Sequence, residues 1–358
     1  MHTIEKVPEF GMFKLIAELY KDPERKSILR ILFELCCLWV LYRTIPSHYF
    51  SRYLFKRDIT TVRDYIPGKL LYKRKAKFNE RSARNMLDNK FFFDLYYRQL
   101  DFPLPQLWMH NTRRAFLVDR KYLEIHDVDG FKEVVARVIK ANAADNTLYI
   151  KKAYDAYGGS NIHKIHLDHL TSYPDKINEI FSEVINSAFI FQQTIKQHPE
   201  MDKLSPFSLN TMRFDTFINT DGTVEIISGY MKTNIRNNHV DNEPTGGCEI
   251  SLDLETGRLR KYGHLTLKFN GLSRSTQHPT TKTVFENFVV PYFKEAKEMV
   301  IQAARVMPAL RLVGWDVAIG ENGPVLIEGN SDYDIAASDL SYGGYRTNPV
   351  FKKVFKEI

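Results

Sequence analysis

Residues 313–334, VGWDVAIGENGPVLIEGNSDYD, decide the fold. Val317, Ile319, Val325 and Ile327 are β-branched and flank Glu321-Asn322-Gly323, a turn-forming triplet, so the stretch is predicted to be a β-hairpin. Asp316 falls on its first strand, and Glu328 and Asn330 fall at the end of the second. A side-chain period of two puts Glu328 and Asn330 on one face, and folding back about the turn brings Asp316 beside them. Two carboxylates crowded together repel each other and resist ionisation. Mg²⁺ resolves that conflict, because it takes a near-octahedral shell of oxygens at ~2.0–2.1 Å, part of it from nucleotide phosphates. The residues therefore point to a Mg-nucleotide site, with a hairpin that merely carries a polar rim as the alternative.

The rest of the 358-residue chain is long enough for two or three lobes. An apolar fraction of 44% and a charged fraction of 26% exclude a fibrous or disordered chain. Cys36, Cys37 and Cys248 form neither a disulfide framework nor a metal spacing, and all three are read as packing residues of a reducing compartment. The start, MHTIEKVPEF, lacks the basic, apolar and small-residue order of a secretory leader, so a cytoplasmic location is expected. The most apolar run, ILRILFELCCLWVLY at 28–42, is interrupted by Arg30 and Glu34 well short of the ~20 apolar residues a span needs. It is predicted to be a helix, either buried or lying on a membrane surface.

The net charge of +7 is concentrated: residues 51–84 hold eleven basic side chains against three acidic ones, a local excess of +8. Such a stretch after an apolar helix fits peripheral contact with anionic lipid at the inner membrane face or with an anionic glycan, and equally a solvated face. No recognised nucleic-acid motif accompanies it, so nucleic acid is not expected as a partner.

Taken in order, residues 1–105 read as a mainly helical, basic region that ends at Pro103 and Pro105. Residues 106–190 read as a first mixed lobe and 191–358 as a second. In the first, a strand ends on Lys151 and Lys152, and a loop with Gly158, Gly159 and Ser160 follows. Paired glycines let backbone N–H groups approach phosphate, although such a pair is more often a plain turn. Residues 188–195, AFIFQQTI, read as a strand leading into a polar connection. The next strand carries Arg213, and the stretch GYMKTNIRNNHVDNEPTGG at 229–247 carries Lys232 and Arg236, cations of the kind that bind phosphate. Residues 249–259 suggest a hairpin, and residues 283–306 an amphipathic helix.

Strand lysine, glycine loop, hinge and final Asp-Glu-Asn set, in that order, resemble the ATP-grasp superfamily, and more closely its sugar-transfer-associated members. The likeness covers roughly residues 90–348. Its more specific segments are QHPEMDKLSPFSLNTMRF (197–214), VDNEPTGG (240–247), His278-Pro279, GWDVAI and IEGN. It implies an α+β ATP-grasp fold, two lobes holding ATP between antiparallel sheets, preceded by a helical N-terminal region. It implies that Lys151 reaches the nucleotide phosphates, that Gly158, Gly159 and Ser160 close over them, and that Gln192, Gln193, Thr194 and Ile195 form the adenine hinge. Asp316, Glu328 and Asn330 match the Mg²⁺ ligands, while Arg213, Lys232 and Arg236 match the cations that face the transferring phosphoryl group. His278 is placed toward the acceptor. Gln192 stands where glutamate is common in the family, and Lys152 where proline is.

The activity implied is ADP-forming ligation of a carboxylate to an amine through an acyl phosphate, with ATP and Mg²⁺. The expected substrates are a uronic acid of a bacterial capsule or other surface polysaccharide, or its lipid-linked precursor, and an amino acid or other amine. The other classes consistent with the sequence are an ATP-dependent glycan kinase and a non-catalytic module that binds polysaccharide or membrane.

Overall fold

Strand-forming residues in the second half of the chain, and alternating apolar runs between 107 and 193, assemble into two antiparallel sheets. The computed structural model describes residues 12–75, 77–154, 161–235, 247–265 and 274–356. Calls made on Gly158, Gly159, Ser160 and Arg236 lie outside the described residues.

The first sheet holds β1 (Leu107–Thr112), β2 (Ala115–Val118), β3 (Lys121–Glu124), β4 (Thr147–Lys152), β5 (Ile162–His166) and β6 (Ala188–Gln193), in the order β3-β2-β1-β6-β4-β5. Helices Val128–Asn142 and Pro174–Ile185 cover one face. Phe131, Val135, Ile139, Ile177, Ile180 and Val184 pack there on Leu148, Ile150, Phe189 and Phe191.

The second sheet holds β7 (Thr211–Ile218), β8 (Val224–Asn234), β9 (Gly247–Leu252), β10 (Leu259–Leu265), β11 (Arg274–Ser275), β12 (Leu312–Gly320) and β13 (Gly323–Asn330), in the order β11-β10-β9-β8-β7-β12-β13. β12 and β13 are the hairpin expected from residues 313–334. Met212, Phe214, Val313, Trp315 and Val317 alternate onto one face. Two glycines of the hairpin are set by close approach: a Cβ on Gly329 would sit 2.9 Å from the Trp315 ring, and one on Gly314 would sit 2.7 Å from Tyr333.

Helix Phe293–Arg305 covers the Trp315 face. The amphipathic segment foreseen over 283–306 is helical only from Phe293, because Pro291 lacks a donor and Tyr292 adopts a left-handed φ of 52°. Beside it lies the last helix of the N-terminal region, Lys90–Gln99. That region comprises α1 (Met12–Lys21), α2 (Ile28–Tyr42), α3 (His48–Ser51), α4 (Gly68–Lys75), α5 (Asn85–Asp88) and α6 (Lys90–Gln99). Phe93 and Tyr97 of α6 enter the Trp315 core, and the Tyr97 hydroxyl donates to the Ala303 carbonyl at 2.9 Å. On the opposite face of the sheet, Ile66, Leu71 and Phe78 pack with Phe217, Leu312, Tyr333 and Tyr345. The N-terminal region thus wraps the second sheet on both faces.

Polar ties fix this wrapping. The Asn79 amide donates to the carbonyls of Leu312 (2.7 Å) and Ser331 (2.9 Å) and accepts from the Leu312 N–H (3.0 Å). The Arg52 Nε is 2.7 Å from Asp339, both buried. Three members of the basic stretch, Arg52, Lys56 and Lys75, are therefore spent on ion pairs with Asp339, Asp22 and Asp332 rather than exposed to an anionic surface. Cys248 is buried, but Cys36 is exposed, so the reading of all three cysteines as packing residues fails for Cys36, which lies on the outer side of α2.

Asp215, fully enclosed beneath the second sheet, accepts from the Ser228 hydroxyl at 2.7 Å and the Tyr345 hydroxyl at 3.0 Å. Burial pushes its pKa up to about 6, against the pull of Arg213 and those hydroxyls. The folded state then binds this proton more tightly than the unfolded chain does, so its ionisation costs stability as pH rises from about 4 through 6. Asp215→Asn keeps an oxygen for both hydroxyls and removes the ionisation. In urea titrations its stability relative to wild type is expected to rise by on the order of 3 kcal/mol between pH 4 and pH 7.

Candidate active site

The two sheets face each other across a cleft that α6 also lines. From the first sheet come Tyr149, Lys151, Ile162, Ile190, Gln192 and Gln193, with Ile195 just beyond β6. Thr211, Lys232, Asp316, Ile327 and Glu328 come from the second, and Lys90, Phe93 and Asp94 from α6. Apolar walls with a few converging charges suit a flat ring joined to an anionic tail.

Register decides how the acidic residues meet. Asp316 on β12 pairs directly with Glu328 on β13 and with Arg213 on β7. A bulge follows, since Val317 pairs with Leu326 and Ile327 is left over. Strict alternation would send Ile327 and Glu328 to opposite faces, whereas the bulge lets both line the cleft.

Asp316 is 2% exposed. Its Oδ1 lies 2.5 Å from Arg213 Nε, and its Oδ2 lies 3.1 Å from Arg213 Nη2 and 2.8 Å from Lys232 Nζ. Burial alone would raise its pKa, but Arg213 and Lys232 outweigh burial and hold the carboxyl well below its usual range. Glu328 stands opposite Asp316 in the β12–β13 ladder and lines the same cleft. Its own oxygens lie 3.3 Å from Lys90 Nζ and 3.2 Å from the Asn330 Nδ2 that donates to it. The result is a cluster of two acids, an amide and three cations at the mouth of the cleft.

The end of β6 is tied to α6. Gln192 Nε2 donates to Asp94 Oδ2 at 3.3 Å, and Arg98 holds Asp94 through two bonds of 2.9 and 2.7 Å while donating to the Pro105 carbonyl at 2.6 Å. A glutamate at 192 would set a second anion against buried Asp94, which explains the amide found here. Backbone N–H of Gln193 donates to the Gln106 carbonyl at 2.8 Å.

Of the residues singled out from sequence, the structure brings Lys151, Gln192, Gln193, Ile195, Lys232, Asp316 and Glu328 to one cleft, with Arg213 and Asn330 against the two carboxylates. Thr194 turns its hydroxyl to Thr147 at 2.7 Å and does not line the cleft. His278 is a correction. It is wholly buried, its Nε2 is 3.0 Å from the Asn234 carbonyl, and its Nδ1 accepts the backbone N–H groups of Thr280 and Thr281 at 3.3 and 3.1 Å. Nδ1 is used in folding the 278–283 turn and Nε2 ties that turn to the end of β8, so His278 has no ring nitrogen left for an acceptor. Burial also lowers its pKa.

Lys90 and Asp94 were not foreseen. The signal was present, because they stand four apart on an amphipathic helix capped by Asn89, whose side chain accepts from the Phe91 N–H at 2.9 Å. One face of that helix carries Phe93 and Tyr97 into the core, and the adjoining face delivers Lys90 and Asp94 to the cleft.

Two facing antiparallel sheets with a charged cleft between them define an ATP-grasp fold. The chain belongs to the family described as sugar-transfer associated ATP-grasp, whose model matches residues 72–346. Among solved structures it is similar to the ATP-grasp ligase PsnB complexed with a minimal precursor variant, Mg and ADP (13% identity, TM-score 0.41, 78% of this chain and 60% of that one). It is also similar to D-alanyl-alanine synthetase A from Vibrio cholerae (12% identity, TM-score 0.41, 76% and 65%) and to D-cycloserine synthetase DcsG (10% identity, TM-score 0.39, 76% and 71%). The chain thus spans less than two thirds of the first two. No curated protein matches it.

Three substitutions test the electrostatics without any assay of activity. Asp316→Asn leaves buried Arg213 and Lys232 without their counter-charge, and urea unfolding is expected to show a loss on the order of 3 kcal/mol, whereas Glu328→Gln at the open rim changes stability little. Gln192→Glu is expected to destabilise by roughly 1–2 kcal/mol at pH 8 and to recover by pH 5, where the introduced carboxyl is protonated and again donates to Asp94.

Proposed function

We propose that the protein is an ATP- and Mg²⁺-dependent ligase that joins a carboxylate to an amine, releasing ADP and phosphate. The observation that carries this reading is that Lys90, Lys151 and Lys232 line the same cleft as Asp316 and Glu328. Such a set suits a polyanion and the cation that accompanies it.

The donor set fits Mg²⁺. Asp316 and Glu328 are hard oxygen donors set opposite each other across the β12–β13 ladder, and Asn330 adds an amide oxygen beside Glu328. No group of three His, Cys, Asp or Glu side chains is assembled among the described residues, so further ligands would come from phosphate and water. When bound, the ion would offset charge on the phosphate oxygens. Arg213 keeps Asp316 ionised and oriented, Lys232 adds positive charge beside it, and Lys151 supplies a charge from the opposite sheet. These fixed charges lower the barrier by opposing the negative charge that builds on the transferring phosphoryl group.

In the reaction, a substrate carboxylate oxygen attacks the γ-phosphorus and the bond to the β-phosphate oxygen breaks, giving an acyl phosphate and ADP. The amine then attacks the acyl carbon, its proton is lost to solvent, and phosphate leaves as the amide forms. The family's association with sugar transfer supports a uronic acid of a surface polysaccharide, or its lipid-linked precursor, as the carboxylate, and an amino acid or similar amine as the nucleophile. A lipid-linked acceptor also suits a protein working at the inner membrane face.

Incubation with ATP, a uronate and an amino-acid mixture is expected to release ADP and phosphate only when both co-substrates are present. Release of AMP would rule out the acyl phosphate, and phosphate retained on the sugar would make the protein a glycan kinase. Glu328→Gln is expected to lower kcat/KM by about 100-fold with an unchanged circular-dichroism spectrum.

A further inference from the structure

The helix α2 has two unlike sides. Its inner arc is fastened by Glu34, which is 2% exposed and receives Lys26 at 2.8 Å, Arg30 at 2.6 Å and the Tyr49 hydroxyl at 2.7 Å, with Ile31 and Leu38 buried beside it. Its outer arc is apolar and open to solvent: Leu29 is 81% exposed, Leu32 54%, Phe33 60%, Trp39 59% and Val40 68%, and Ile45 just beyond the helix is 80% exposed. Soluble monomers rarely leave so many large apolar side chains contiguous.

We propose that this outer face of α2 is a membrane-contact surface that lies in the plane of an anionic bilayer. The helix has 15 residues, and no helix among the described residues is long and apolar enough to cross a membrane. A short helix with one apolar face and an aromatic pair inserts side-on at the headgroup boundary instead. The charge around it selects the occupant. Exposed Arg57 donates to the Arg25 carbonyl beside the start of α2, exposed Arg43 caps its end, and the carbonyl of exposed Arg63 accepts the Tyr42 hydroxyl there. Nearby acids are turned inward or engaged: Asp22 and Glu24 bind Lys56, and Asp58 binds Arg274. Cations at both ends repel a second copy of this face and attract phosphodiester headgroups.

Of the two settings expected for residues 28–42, buried or on a membrane surface, α2 combines both on opposite sides, and only part of the basic stretch reaches solvent. It is also rigidly linked to catalysis. Arg52–Asp339 at 2.7 Å and the Arg274 pairs with Asp58 and Glu24 hold the N-terminal helices to the second sheet, so docking α2 fixes the cleft relative to the bilayer. This rests on the reading that the acceptor is presented at a membrane, but not on the ligase chemistry.

The test is flotation of the full chain with phosphatidylcholine vesicles with and without about 30% phosphatidylglycerol. Wild type is expected to float with the anionic vesicles and to be released by high salt, and Phe33→Glu/Trp39→Glu to lose binding by at least about tenfold. Arg43→Glu/Arg63→Glu is expected to lose the preference for anionic lipid. Both pairs are exposed, so the fold and turnover of a water-soluble acceptor stay unchanged. Failure to float with either vesicle, binding indifferent to the Phe33 and Trp39 changes, or a dimer that those changes dissolve would each overturn the proposal. Intact flotation without ligase turnover would count against the enzymatic reading alone.

Discussion

Everything at the centre of the molecule follows from the burial of Asp316 between Arg213 and Lys232. A carboxylate enclosed to this degree is stable only with its counter-charges in place, and the strands that bring those charges must pair in one register. The register sets Asp316 opposite Arg213 on one side and Glu328 on the other. A slip of one residue would send Asp316 into the face now filled by Trp315 and its neighbours. Core packing and site geometry are therefore specified together, with Gly314 and Gly329 leaving room for Tyr333 and Trp315.

The second constraint is the N-terminal region, which is part of the site rather than an appendage to it. Helix α6 seats Phe93 and Tyr97 in the second core, and from its adjoining face it sends Lys90 to Glu328 and Asp94 to Gln192 at the end of β6. A single rigid helix thus touches the acidic cluster and the opposite sheet. Helices further upstream brace the other face of the second sheet and leave the outer side of α2 bare.

Much of this was legible in one sequence. The hairpin of 313–334, the strand ending at Lys151 and the strand carrying Arg213 have local signatures: β-branched residues, turn residues and a period of two. His278 was misjudged because a motif-like setting does not say where the two ring nitrogens point. The helix expected over 283–306 was drawn too long because amphipathic spacing continues through Pro291 and Tyr292, where the backbone departs from helical geometry. Lys90 was passed over because a lysine at the head of a helix looks like any solvated cation until the chain folds.

Sequence by itself determined the hairpin, because its turn and strand residues are neighbours a few positions apart, and the motif order carried the family resemblance that implied the α+β class. Only the tertiary structure decided which charges are solvated and which are internal. Arg52, Lys56 and Lys75 count equally with Arg57 and Arg63 in the linear excess of positive charge, yet the first three are buried against acids as distant as Asp339. The bulge that turns Glu328 and Ile327 to one cleft was likewise hidden, since it is a property of two paired strands. The physical reason is the same in each case: burial and pairing energies depend on which partners the folded chain sets side by side, from the adjacent strand of a hairpin to Asp339 beside Arg52.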